Sequence, residues 1–145
     1  MKRACIPVLV LMIAAILTFG YLEIRSTEIV NVDQNGHTAQ IIVDHLPWTD
    51  SRRIAWWEAN SAKIISKYDI HPENSAYFIF AFGDGYKKEE KADRLCLSNV
   101  PAPVNCIEKE TLLIVMPERN QSTLFIIANR VYRQDKNGKI VREEQ

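Results

Sequence analysis

From Ala4 to Leu22 the chain runs for nineteen residues without a charged side chain, between Lys2 and Arg3 on one side and Glu23 on the other. As a helix that run would extend roughly 28 Å at 1.5 Å per residue. This is close to the ~30 Å hydrocarbon core of a bilayer. Pro7 falls in the first turn, where a missing N–H is tolerated. Tyr21 falls at the far end, where an interfacial aromatic is favoured. The rival reading is a cleaved secretory signal, which needs a shorter apolar stretch and small residues at a cleavage site. Thr18-Phe19-Gly20 is a poor match to such a site, and Cys5 precedes the apolar core instead of following it as in a lipoprotein signal. The run reads as an uncleaved membrane anchor at 1–22, with a short stalk at 23–27 and one domain at 28–145. Lys2 and Arg3 lie before the helix, and Glu23, Arg25 and Glu28 after it. The positive-inside tendency then keeps the N-terminus in the cytoplasm and sends the remainder across.

About 120 residues beyond the anchor suffice for one small domain and not for two. The whole chain has 18 basic and 18 acidic residues; without Lys2 and Arg3 the rest carries 16 against 18, a formal charge of −2. No basic stripe is present, which argues against nucleic acid as a partner. Cys96 and Cys106 are the only cysteines past the anchor. An even pair in an oxidising compartment is most simply a disulfide. Closing so short a loop contributes roughly 2–3 kcal/mol in the chain-entropy model. Cys5, at the cytoplasmic edge of the anchor, is expected to be a lone thiol.

Residues 28–33 and 38–44 read as strands around Asn35-Gly36, a strong hairpin signal. Pro47 then breaks the strand, and Thr49, Asp50 or Ser51 can cap a helix. Ile54, Trp57, Ile64, Ile65 and Tyr68 fall on one helical face between Ser51 and Tyr68. Ser61 fills a gap in that stripe and permits close approach to a sheet. Pro72 disfavours continuation beyond Asp69. Residues 75–82, rich in aromatic and β-branched side chains, read as a central strand, with 86–97 its expected partner across the Gly83-Asp84-Gly85 turn. Further strands are expected at 111–116, 122–128 and 129–134, and Asn137-Gly138 repeats the hairpin chemistry before Ile140-Val141. Turns, not helices, are expected to join successive strands. The expected fold class is α+β: a membrane helix, then a small, mostly antiparallel sheet with one amphipathic helix packed on it.

Several strings then add up to a resemblance: Glu28-Ile29-Val30, Ile54-x-Trp56-Trp57, Phe82-Gly83-Asp84-Gly85-Tyr86, Asp93-Arg94-Leu95-Cys96, and Pro103-Val104-Asn105-Cys106-Ile107-Glu108-Lys109. With the lysine-started membrane helix, the chain resembles, over nearly its whole length, a family of small enterobacterial membrane proteins of unknown function. The resemblance implies a single-pass anchor in the bacterial inner membrane through residues 4–22, with the C-terminal domain in the periplasm. It also supports pairing of Cys96 with Cys106. It carries over no catalytic residue.

The motifs that could carry chemistry have plainer readings. Phe82-Gly83-Asp84-Gly85-Tyr86 lacks the lysine and the further glycines of a phosphate loop, and the alternating acids of a calcium loop. A tight turn with positive φ accounts for it. His37, His45 and His71 share no ligand spacing with one another or with the cysteines, so no metal and no cofactor are expected. No nucleophile motif is present, and the chain is read as a non-enzyme. Trp48, Trp56 and Tyr86 are the candidate partner surface, since aromatics are enriched at binding hot spots. Trp57 is assigned to the core by helical phase. The Lys87–Lys91 run is expected at an exposed hairpin tip. The leading functional expectation is a membrane-tethered, protein-binding domain such as an immunity or inhibitor protein. The alternatives are a structural or accessory envelope component, or a membrane-proximal hydrolase using Asp84, Asp93, His71 or Glu108.

Overall fold

The computed structural model describes residues 5–71 and 76–144. The charge flank at Lys2 and Arg3, the start of the apolar run at Ala4, the stop at Pro72 and the strand start at Ser75 lie outside them, as does the Cys5 side chain. The apolar run forms helix α1, Cys5–Ile24. Within it, Ile6–Ile24 is long and apolar enough to cross a membrane. Its large apolar side chains face outward, with Leu11 69% and Leu17 68% exposed. Thr18 Oγ1 donates to Ala14 O at 2.8 Å, so its hydroxyl is satisfied within the helix, as an apolar solvent demands.

The remainder is α+β. Strands β1 (Ile29–Gln34) and β2 (Thr38–Val43) form the first hairpin. Helix α2, Asp50–Lys67, follows, and then β3, Ala76–Ala81. Strands β4 (Lys87–Lys88), β5 (Arg94–Cys96) and β6 (Val104–Glu108) form a separate small sheet in the order β4-β6-β5. Strands β7 (Thr111–Pro117), β8 (Thr123–Ile127), β9 (Arg130–Gln134) and β10 (Ile140–Glu143) complete the main sheet. Its order is β1-β2-β3-β7-β8-β9-β10.

Every neighbouring pair in the main sheet is antiparallel except β2 and β3, which run parallel from Thr38 beside Ala76 to Val43 beside Ala81. This corrects two expectations. A helix, not a turn, joins this pair, and crossing one face through α2 brings the chain back in the same direction. Residues 86–97 do not pair with β3, whose edges are taken by β2 and β7. Their alternate positions cannot sustain a central strand: Glu89–Asp93 is wholly exposed. The segment folds away into the small sheet instead.

The two periodicities account for the layers. In β2, Ala39, Ile41 and Val43 face α2, and Ile42 faces the other way. The helix-side core joins these to Ile54, Trp57 and Ile64 of α2 and to Tyr77, Ile79, Leu113, Val115, Phe125 and Ile127. Each wholly buried isoleucine there contributes about 2 kcal/mol. On the opposite face, Ile42 and Phe80 meet Leu97 and Ile107 of the small-sheet segment, with Phe78, Phe82, Tyr86, Leu95 and Val100 around them. The main sheet is therefore covered by α2 on one side and, over β2 and β3, by the small sheet on the other.

Capping sets the limits of α2. Thr49 is the N-cap, its side chain accepting from Arg52 N. At the far end Asp69 adopts φ 48°, and Ile70 N–H donates back to Ile65 O at 3.0 Å. A left-handed residue with a returning N–H is the usual helix stop.

Candidate functional site

Where α1 meets the domain, the segment after β2 clasps its last turns. Glu23, whose side chain is only 8% exposed, accepts the Trp48 backbone N–H at Oε1 and the Arg52 guanidinium at Oε2, both at 2.8 Å. The Trp48 ring packs edge-on against Phe19, centroids 5.5 Å apart. A second clasp lies beside it. Arg25 reaches Asp44 at 3.2 Å, and the His45 ring nitrogens lie 2.9 Å from Arg25 Nη2 and 3.0 Å from Arg25 O. Burial pushes the Asp44 carboxyl up, but the Glu28 N–H and His45 outweigh it and leave its pKa below the usual range. Nothing in the sequence marks these contacts, because Glu23 and Trp48 are 25 residues apart.

The sequence-predicted site residues fall in separate places. Cys96 and Cys106 sit opposite each other in the β5–β6 register and are joined, S–S 2.08 Å. Trp48 is 65% exposed beside α1. Trp56 packs partly against the helix-side core and lines a cleft of about 360 Å³ with Asn60, Lys63, Lys67, Tyr68 and the Thr27–Ile29 stretch. Tyr86 belongs to the small-sheet cluster and stands edge-on to Phe82 at 5.0 Å. Its hydroxyl accepts from Asn31 Nδ2 at 3.4 Å.

The carboxylates considered for hydrolysis lie in ion pairs at the surface. Lys87 joins Glu108 at 3.0 Å and Asp84 at 3.7 Å, and Arg94 also reaches Glu108, at 3.1 Å. The hydrogen bonds from Lys87 and then Arg94 hold the Glu108 carboxyl below its ordinary pKa. Asp93 pairs with Lys109, and exposed His71 donates its backbone N–H to Gln34. Among the described residues no group of three His, Cys, Asp or Glu side chains is placed to hold a metal ion.

Sequence reasoning missed a surface of a different kind. The apolar cluster under the small sheet takes in β2 and β3 but nothing from β7–β10. Leu113 and Val115 point into the helix-side core, so Ile114 and Met116 point the other way. Cross-strand pairing sets Ile126 beside Ile114 and Leu124 beside Met116, then Val131 beside Ile126. Val141 continues the row through Arg133. Met116 is 38% and Val141 52% exposed, while Ile114, Leu124, Ile126 and Val131 are half-buried. Arg133 lies on this same face between Leu124 and Val141 and pairs with both Glu118 and Glu143, and Ser122 Oγ is in hydrogen-bond contact with Glu118 and Asn120. The apolar part of the face thus lies over β7, β8 and Val131, and the charged pair of Arg133 and Glu143 lies over β9 and β10. Alternation in the sequence indicates that one face of each strand is apolar; it does not reveal that, among the described residues, neither apolar cluster takes in this face of β7–β10.

On the helix side, Asp50 ties α2 to β9. It accepts from Arg130 Nη2 at 2.8 Å and from the Tyr132 hydroxyl. The Arg130 hydrogen bond, with help from Tyr132, holds the Asp50 carboxyl below its ordinary pKa. Arg53 adds a latch to β7 by donating to Leu112 O at 2.9 Å.

Over residues 1–144 the chain matches the model of the family described as "Enterobacterial putative membrane protein (DUF943)". No curated protein and no solved structure matches it.

Proposed function

The chain belongs to this family of enterobacterial membrane proteins, and on that footing we propose that it is a single-pass protein of the inner membrane that holds a protein-binding domain in the periplasm. Lys2 and Arg3 before the apolar run support that orientation through the positive-inside tendency. A disulfide across β5 and β6 suits an oxidising compartment. The observation that carries the binding function is the open half of the sheet, where Ile114, Met116, Leu124, Ile126 and Val141 lie outside both core clusters. An apolar surface of this kind marks an interaction site. The domain works by binding and not by catalysis; the pairing of Asp84, Asp93 and Glu108 with lysine and arginine at the surface supports that. An immunity or inhibitor protein that neutralises a toxin reaching the periplasm is the concrete form proposed.

The test is a photo-crosslinking residue at Leu124 in the full chain, in living cells, with a periplasm-dependent reporter fused after Gln145. An active reporter and a crosslink to a different protein are expected. Cells lacking the chain should be killed by that protein, and the chain should protect them. An inactive reporter overturns the orientation. A crosslink confined to a second copy of the chain, or none at all, overturns the partner-binding reading, and a partner that is harmless to unprotected cells overturns the immunity role.

A further inference from the structure

Trp48 lies beside α1, apart from the proposed partner face, and its position is unusual for so large an apolar group. Among the described residues outside α1 it is the most exposed large hydrophobic side chain, at 65%. Its ring touches Phe19, not the domain core. Phe19 lies three residues inside the apolar run that ends at Leu22, about 4–5 Å along the helix axis. With its centroid 5.5 Å from that of Phe19, the Trp48 ring lies within 5.5 Å of that depth along the helix axis. The Glu23 carboxylate fixes that depth by holding the Trp48 N–H and the Arg52 guanidinium together. A shallow cleft between the two helices, lined by Phe19, Gly20, Glu23, Ile24, Thr49 and Arg52, runs directly on from the outward-facing surface of α1.

We propose that Trp48 is a second membrane contact, with its indole seated in the phospholipid interface beside α1 and the Pro47–Thr49 loop resting at headgroup level. The inference rests on α1 spanning the bilayer and is independent of which side the domain occupies. An indole suits that layer, having an apolar body and one N–H donor. Arg52, 56% exposed at its side chain, stands next to it with donors suited to lipid phosphate. The domain is thereby seated on the membrane at a fixed height and does not swing on a free tether.

The experiment uses the full chain in lipid nanodiscs whose acyl chains carry bromine, which quenches tryptophan fluorescence on contact. Bromines near the headgroup end should quench about a third of the wild-type emission, the share of one tryptophan among three. Trp48→Phe should abolish that quenching while the remaining emission and the circular dichroism stay native. Leu11→Trp in the Trp48→Phe background, read with bromines near the bilayer centre, reports on α1 by itself. Equal quenching of wild type and Trp48→Phe, with Leu11→Trp quenched, overturns the Trp48 contact alone. An unquenched Leu11→Trp overturns the spanning helix and the contact with it.

Discussion

Asp50 shows how one side chain can join elements far apart in sequence. It begins α2 and receives Arg130 and Tyr132 from β9, 80 and 82 residues away. Its carboxyl is held below the ordinary range by the Arg130 hydrogen bond. A depressed carboxylate stabilises the fold above its unfolded pKa, near 4. That contribution is lost as pH falls through the folded value. Wild type should therefore lose stability more steeply than Asp50→Asn between about pH 5 and pH 3. At neutral pH the variant should be about 1 kcal/mol less stable. Denaturant midpoints taken across that window measure both. The two Asn-Gly turns offer a second comparison. Gly138 has φ 85°, whereas Gly36 is not among the positive-φ residues. In the first hairpin the Asn35 side chain organises the turn, accepting from the N–H groups of His37 and Thr38 at 2.9 Å. Gly36→Ala should then be neutral within about 0.5 kcal/mol. Gly138→Ala should cost about 1–2 kcal/mol for placing a Cβ in the left-handed region. Thermal melts of the two variants, side by side, decide it.

Among the elements, the small sheet depends most on a single bond. It has three short strands, and β4 has two residues. Its apolar contribution is carried by Leu97, Cys106 and Ile107. Isolated ribbons of this size are marginal. The Cys96–Cys106 link restrains the β5–β6 pair from within. Replacing both cysteines with serine should cost about 2–3 kcal/mol. Hydrogen exchange should quicken across residues 87–108 and leave β8 and β9 unchanged. The elements were also unequally legible. The stripe of Ile54, Trp57 and Ile64 identified α2, because burial on one side imposes a period on the sequence, and the Asn35-Gly36 turn signal identified β2. The parallel pairing of β2 with β3 left no such mark, since partner choice depends on where the crossover helix lies. The same limit hid the anchor clasp and the open face. Glu23 reads as the end of a membrane run, and Met116 and Leu124 read as ordinary strand positions. Each acquires its meaning from a neighbour, or the lack of one, in space.

At the scale of the whole molecule, the anchor, the two-sided cover over β2 and β3, and the open β7–β10 face make an asymmetric body. The firmly packed part is built by the segments nearest α1 in sequence. The strands that carry the proposed partner face come later, each paired to the one before it from β7 onward. Their order has a consequence for how the chain is made. Apart from the excursion into the small sheet, strands take their places in the sheet in the order in which they would emerge during synthesis. In the proposed topology, a chain threaded across the membrane behind α1 can thus lay down the sheet progressively. Each new strand finds its template already in place, and no completed edge has to be reopened to admit a late arrival.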